Sequence, residues 1–317
     1  MDILIIKPSS LGDIIHGLQF AESLRSEISN ARISWVSREI FAPLVESCQT
    51  VHKTYVFQRK GTLKHFVELI FEIREKQFDW VLDLQGLFRS GILCLLSRAK
   101  NKAGRSDARE GSKLFYPVTA SMPSNGSESH ALDILLNFKP LFDKPASCNR
   151  LLVFDTPLSQ SFGEQLLSPT FKRVIIFPES RRPEKEWPFY QELTFELLSQ
   201  NTNLQLIWVG TSQLEPKFPA HPFIHHNRFL NLCGSTQIEE LPALVNASDL
   251  VLTNDSGPMH LAAALKKEVV ALFGPTDPKK YGPWEQMQNV IVAPNGNLKE
   301  LPVAKVADVL KRKLANH

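Results

Sequence analysis

The residues whose types and spacing carry the most chemistry lie between 248 and 278, SDLVLTNDSGPMHLAAALKKEVVALFGPTDP. A short uncharged apolar run at 250–253 stops at Asn254-Asp255-Ser256-Gly257, and Pro258 suits the opening turn of a helix over 259–265. Such a turn sets a helix N-terminus, with free N–H groups and partial positive charge, at the carboxyl end of a parallel strand. That is where α/β proteins hold phosphate. Gly257 permits close backbone approach, while Asp255, Ser256 and His260 offer partners for hydroxyls or phosphate oxygens. A strand over 268–273 follows, then a second polar turn, Gly274-Pro275-Thr276-Asp277-Pro278. Either turn alone is ordinary capping chemistry. Two in succession, joined by a helix containing Ala262, Ala263 and Ala264, point to a nucleotide-linked ligand.

Two further positions could do chemistry. Asp13 ends the loop Pro8-Ser9-Ser10-Leu11-Gly12 at the start of the first helix. It is either a cap for backbone N–H groups or a general base for a bound alcohol, and local sequence favours the cap. Lys185, in Lys185-Glu186-Trp187-Pro188, either neutralises a departing diphosphate or is a solvated lysine in a charged loop. The sequence holds no GxxxxGK[ST], HExxH or GxSxG motif and no Asp-x-Asp pair for a divalent cation.

Alternating strands and helices must position these groups. Strands are expected at 2–7, 32–36, 80–83, 172–177 and 204–209, besides the two above. Helices are expected at about 14–30, 64–76, 87–99, 129–137, 188–200 and 238–247, and 117–130 reads as a loop. That alternation predicts doubly wound parallel sheets. At 317 residues the chain exceeds one compact core, so two α/β domains are expected, 1–165 and 166–317, with the linker at 156–170 between Pro157 and Pro169.

The four cysteines are scattered without a CxxC pair, which argues against a disulfide framework or structural zinc site and fits a reducing cytosol. The N-terminal apolar run is too short for a signal peptide or membrane span. A net charge of +3 gives no general reason to expect nucleic acid. Locally, 52–65 is basic and acid-free, and Arg98, Lys100, Lys102, Arg105, Arg109 and Lys113 form a second cluster. Each is a solvated face or a seat for an anionic partner.

Taken together and in order, Ser9-Ser10-Leu11-Gly12-Asp13, Asp83-Leu84-Gln85-Gly86, Lys185-Glu186-Trp187-Pro188, Asn254-Asp255-Ser256-Gly257-Pro258-Met259-His260 and Gly274-Pro275-Thr276-Asp277-Pro278 resemble the bacterial heptosyltransferases of glycosyltransferase family 9. The resemblance runs from residue 3 to about 284. Ala108-Arg109-Glu110 and Lys113-Leu114-Phe115-Tyr116 are similar to the branch that adds the first heptose. The resemblance implies a GT-B fold, two Rossmann-like domains with parallel sheets facing a central cleft. It implies an ADP-L-glycero-β-D-manno-heptose donor on the C-terminal domain, a Kdo-lipid A type acceptor on the N-terminal domain, and inversion at the anomeric carbon. By the same resemblance Asp13 is the base and Lys185 contacts donor phosphate. Ser180, Glu215, Thr236, Asp255, Ser256, Gly257, His260 and Thr276 surround the donor. Ser10, Gly12, Arg59, Lys60, Lys64, Gln85, Arg89 and Arg109 receive the acceptor. The loop 178–183 departs from the family's usual histidine or Pro-Gly pair, and the basic run around Arg59 is thinner than in first-heptose enzymes.

The expectation is a monomeric cytoplasmic enzyme working at the inner face of the inner membrane, with no cofactor, no metal and no nucleic-acid partner. Two other functions remain open on the residues, a non-hydrolysing nucleotide-sugar epimerase and a non-catalytic sugar-nucleotide-binding protein. Turnover of donor without acceptor would mark the first, and donor binding without transfer the second.

Overall fold

A computed structural model of the chain describes residues 1–148, 150–156, 171–218 and 228–315. The chain divides into two compact units, Met1–Asp155 and Thr156–His317. Most of the linker expected at 156–170, with Pro157 and Pro169, lies outside the described residues.

In the first unit the strands are β1 (Asp2–Ile6), β2 (Arg32–Arg38), β3 (Val51–Phe57), β4 (Phe78–Asp83), β5 (Ala99–Arg105) and β6 (Val118–Ala120). The helices are α1 (Leu11–Glu27), α2 (Ala42–Glu46), α3 (Leu63–Arg74), α4 (Phe88–Leu96) and α5 (Ala131–Leu136). The strands form one parallel sheet in the order β3-β2-β1-β4-β5-β6. β1 lies inside the sheet, and Ile3, Leu4, Ile5 and Ile6 are wholly buried, which is why it reads as an unbroken apolar run.

The second unit repeats the design with β7 (Lys172–Phe177), β8 (Leu204–Trp208), β9 (Phe229–Asn231), β10 (Leu250–Asn254), β11 (Val269–Phe273) and β12 (Val290–Val292). Its helices are α6 (Tyr190–Gln200), α7 (Leu241–Asn246), α8 (Gly257–Ala264), α9 (Pro278–Tyr281) and α10 (Val303–Ala315). All six strands are parallel, in the order β12-β11-β10-β7-β8-β9. Leu193 and Leu197 of α6 and Val306 and Leu310 of α10 join one buried cluster with Val174, Leu206 and Leu252 of the sheet.

Five strands were not expected, β3, β5, β6, β9 and β12. β3 and β5 run through the two basic stretches, and β6 lies in the segment expected to be a loop. β5, AKNKAGR, fully buries only Ala103 among its apolar residues, so it shows no hydrophobic period. β3 is an edge strand with an exposed His52 and Lys53, the pattern edges use against mispairing.

Candidate functional site

The chemistry gathers at the carboxyl edge of each sheet, where strands hand over to loops. In the first unit, register pairs Ile6 with Asp83 and Asp83 with Gly104. Lys7, Leu84 and Arg105 therefore stand at or next to the ends of three neighbouring strands. Lys7 is held from behind, since Trp35 Nε1 donates to its carbonyl at 3.1 Å. A side chain at Gly17 would meet the Trp35 ring at 2.8 Å, so this glycine is what lets α1 lie close to β2.

Asp13 is not itself the N-cap. α1 begins at Leu11 with Ser10 as N-cap, and Asp13 sits in the first turn. Its Oδ2 accepts from Ser10 N–H at 3.0 Å and from Ser10 Oγ at 2.7 Å, while Oδ1 lies 3.2 Å from Lys7 Nζ. Asp13 thus caps Ser10 and pairs with Lys7 at once. The Lys7 side chain is 3% exposed and that of Asp13 45%. Desolvation pulls the Asp13 carboxyl upward, but the Lys7 ammonium and the two Ser10 bonds outweigh it and hold the group below the usual carboxylate value. Burial lowers the Lys7 ammonium, opposed by Asp13. Lys7 is the member of this pair that the sequence reading did not single out. Its signal is a lysine directly after the apolar run at 3–6.

Behind this pair, Asp83 is completely buried. Its Oδ1 accepts from Gln85 N at 2.9 Å and Gly86 N at 3.0 Å, and Tyr116 donates its hydroxyl to Oδ2 at 2.5 Å. Burial raises the Asp83 carboxyl despite these bonds, and burial with the neighbouring Asp83 charge raises the Tyr116 phenol. Gly86 takes φ +68°, a left-handed turn, and its carbonyl accepts from Arg109 N at 2.9 Å. Gln85 and Arg109 therefore belong to one turn assembly beside Lys7, while Arg89 stands exposed at the start of α4.

The basic clusters are not continuous faces. Lys53 pairs with Glu72 at 3.3 Å and lies over the Tyr55 ring, and Lys64 pairs with Glu68 at 3.7 Å. Lys100 pairs with Asp79 at 2.7 Å, Arg105 pairs with Asp107 at 2.6 Å, and Lys102 donates to the Leu95 carbonyl. Arg59 and Lys60 lie exposed in the turn after β3, and Arg59 N donates to Glu39 at 3.2 Å. Arg59, Lys60, Lys64, Arg89 and Arg109 thus follow the carboxyl ends of β3, β4 and β5, on the same sheet edge as Ser10, Gly12 and Asp13.

In the second unit, Asp255 Oδ2 accepts from Lys185 Nζ at 2.5 Å and from Thr276 Oγ1 at 2.6 Å. Three residues separated by up to 91 positions in sequence therefore meet at one carboxylate oxygen. Ser256 is the N-cap of α8, with its hydroxyl 3.1 Å from that of Thr253. His260 is buried on α8, and Pro258 stands at its second residue, one place later than expected. Gly274 brings the second turn close to the loop that carries Lys185, because a Cβ there would lie 3.3 Å from the Glu184 carbonyl. Ser180 N donates to Glu186 Oε1 at 2.8 Å, so the loop carrying Lys185 closes on itself.

Asn254 organises this assembly and was read only as part of a turn. It is wholly buried. Its Oδ1 accepts from Trp187 N at 3.1 Å and Tyr190 OH at 2.9 Å, and its Nδ2 donates to the Pro178 carbonyl at 2.9 Å. The two outlying donor candidates are not brought to Asp255 by any contact. Glu215 is exposed in the loop after β8, and Thr236 Oγ1 donates to the Leu232 carbonyl at 3.2 Å. Among the described residues no group of three or more His, Cys, Asp or Glu is placed to hold a metal ion. Among them, too, no helix is long and apolar enough to cross a membrane.

Two Rossmann-like units, each with polar loops at the carboxyl edge of a six-stranded parallel sheet, define the GT-B fold of glycosyltransferases. Escherichia coli heptosyltransferase WaaC, solved with ADP, shares it with a TM-score of 0.79 at 22% identity, covering 99% of this chain and 100% of that one. The model of glycosyltransferase family 9 (heptosyltransferase) matches residues 66–310, and the chain belongs to that family of enzymes. It is similar to the lipopolysaccharide core heptosyltransferase OpsX of Haemophilus influenzae, 25% identical over 296 residues, which are 91% of this chain and 83% of the relative. It is also similar to lipopolysaccharide heptosyltransferase 1 of Escherichia coli, 25% identical over 326 residues, covering 98% and 99% of the two chains.

Proposed function

We propose that this enzyme moves a heptose from ADP-L-glycero-β-D-manno-heptose to the Kdo-containing inner core of lipopolysaccharide, with inversion at the anomeric carbon. The observation that carries the reading is the Lys7–Asp13 pair, a half-exposed carboxylate fixed on the sheet edge of a family 9 chain. Its relatives' names support heptose and lipopolysaccharide core, and the ADP-bound structural relative supports an ADP-linked donor.

A carboxylate offers about four acceptor positions. Ser10 N, Ser10 Oγ and Lys7 Nζ take three at Asp13, which leaves one for an acceptor hydroxyl. A carboxylate below its usual pKa serves as base here, because the hydroxyl proton becomes strongly acidic as its oxygen bonds to the anomeric carbon. On the donor side, Lys185, Thr276 and the N–H groups opening α8 supply positive charge for the departing diphosphate, and Asp255 orients the first two. No metal ion is assigned to this step. Ser10, Gly12, Gln85, Arg59, Lys60, Lys64, Arg89 and Arg109 are proposed to receive the acceptor's carboxylates and phosphates, on the cytosolic side of the membrane.

The test is a transfer assay with ADP-heptose and a panel of truncated lipopolysaccharide cores, read by product mass, on the wild type and on Asp13→Asn. The Asn variant keeps a carbonyl acceptor for Ser10 and should lose roughly two to four orders of magnitude in turnover. Near-wild-type turnover with chemistry limiting would remove Asp13 from this role. Absence of a heptosyl product from every core would remove the substrate assignment.

A further inference from the structure

Glu179 follows β7, yet its carboxylate lies on the turn that ends the neighbouring strand, β8. Its Oε2 accepts from Thr211 N at 2.5 Å and from Thr211 Oγ1 at 3.2 Å, and Ser212 N lies 3.2 Å from both carboxylate oxygens. Gly210 makes room for it, because a Cβ there would stand 2.4 Å from Oε2. The carbonyl of that glycine accepts from Gly234 N at 2.9 Å, which ties the turn after β9 to the same floor. Desolvation pulls the Glu179 carboxyl upward, but the Ser212 and Thr211 bonds outweigh it and hold the group below the usual carboxylate value. Glu179 is therefore a fixed anion at neutral pH and accepts hydrogen bonds without donating any. Both Thr211 bonds fall on Oε2, which leaves Oε1 as the oxygen with acceptor positions to spare.

Strand order determines what stands above this carboxylate. From β7 the sheet grows outward through β8 to β9, and the chain then returns to place β10 on the other side of β7. The switch point lies between β7 and β10, and there Lys185 meets Asp255. In nucleotide-binding sheets of this kind an acidic side chain past the second strand hydrogen-bonds the ribose. Here the second strand is β8, and Val209-Gly210-Thr211-Ser212 at its end holds no acid. We infer that Glu179, delivered from β7 onto the end of β8, reads the ribose of the donor nucleotide, whose 2′- and 3′-hydroxyls donate to its carboxylate. A fixed anion there repels phosphate, so the diphosphate stays at Lys185 and the nucleoside lies toward β8. Glu179 belongs to the loop that carries Lys185, and the part of a nucleotide next to its diphosphate is the ribose, not the base. Glu215, which the family resemblance sets around the donor, is exposed farther along the loop after β8. This assignment deepens the proposed function, resting on it for an ADP-linked donor, and adds the residue that selects a ribonucleotide over a deoxyribonucleotide.

The experiment is calorimetric titration of the full chain with ADP, 2′-deoxy-ADP, 3′-deoxy-ADP and inosine diphosphate, with neither heptose nor acceptor present. Wild type should bind ADP roughly 10- to 100-fold more tightly than either deoxy form, the loss expected when a charged acceptor goes unfilled. Glu179→Ala should bind ADP more weakly and no better than the deoxy forms. Glu179→Gln keeps an amide oxygen for Thr211 and Ser212, so it should hold the melting temperature while its preference for ADP falls to a few-fold. Glu215→Ala should keep the wild-type preference. A carboxylate that only ties two loops together would weaken all the nucleotides in proportion, so an unchanged ratio of ADP to deoxy-ADP affinity in both Glu179 variants overturns the inference. A preference abolished by Glu215→Ala overturns it as well. Glu179 variants that keep this ratio but no longer prefer ADP over inosine diphosphate would put the carboxylate on the base, and would equally overturn it. Wild type that binds no ADP would overturn the proposed donor and this assignment together, whereas ADP bound with its ratio intact in the variants overturns this assignment alone.

Discussion

Replacing Lys7 with methionine tests the electrostatic design of the acceptor side. The ammonium stands 3.2 Å from Asp13 Oδ1, and the carboxylate side chain is 45% exposed. Water-like screening at that distance gives an interaction of about 1.3 kcal/mol, close to one pKa unit. A protein-like dielectric would give about four times more, but the exposure of Asp13 favours the smaller figure. The sign follows from the direction of the Asp13 shift. Its pKa is depressed in the folded enzyme, so the reactive carboxylate is present above that value and activity falls as pH drops through it. Lys7→Met removes the nearest positive charge, so the acidic limb of the kcat/KM profile should move up by about one unit. Methionine keeps the chain length and replaces a buried ammonium that is itself penalised by desolvation, so the fold should tolerate it. The measurement is kcat/KM against pH for both proteins with one core acceptor. An acidic limb that stays in place, or moves down, would show that Lys7 does not govern the reacting group.

Asp255→Ala removes the shared acceptor of Lys185 and Thr276. ADP-heptose affinity should drop roughly 10- to 100-fold by calorimetry, with a smaller loss for ADP alone. Tyr116→Phe leaves the buried Asp83 Oδ2 without its hydroxyl donor, and chemical denaturation should show a loss of about 1–3 kcal/mol with donor affinity unchanged. Gly104→Ala would place a Cβ 2.2 Å from the Tyr116 ring, so it should lower the melting temperature and loosen the Gly86 turn, seen as faster hydrogen exchange at Arg109 N–H.

What could be read from the sequence was local, and what could not was long-range. Asp255, Ser256 and Gly257 announce their turn because adjacent residues build it. β1, β7, β10 and β11 announce themselves because inner parallel strands must be apolar on both faces. Lys7 and Asn254 carry no such mark, since their roles arise from partners on other elements, for Asn254 across 64 to 76 residues. The basic stretches stayed open between a solvated face and an anionic seat for the same reason. Whether Lys53, Lys100 or Arg105 is available to a ligand depends on Glu72, Asp79 and Asp107, and only packing decides that. The family resemblance, by contrast, rested on ordered motifs and holds over residues 66–310.

The placement of Asn254 has a consequence for how this enzyme can change. Its amide grips the Pro178 carbonyl and the Trp187 N–H, the two ends of the segment that carries Lys185. The residues from Glu179 to Glu186 are therefore pinned at both ends by a group that belongs to the core. Sequence drift between those ends can alter which charges meet a bound diphosphate while β7 and β10 stay in register. The middle of the segment, from Arg181 to Glu184, is in effect an exchangeable cassette, since Glu179 is tied to Thr211 and Ser212 and Lys185 to Asp255. Exchanging residues there changes the charges beside Lys185 while the Asn254 contacts to Pro178 and Trp187 stay as they are.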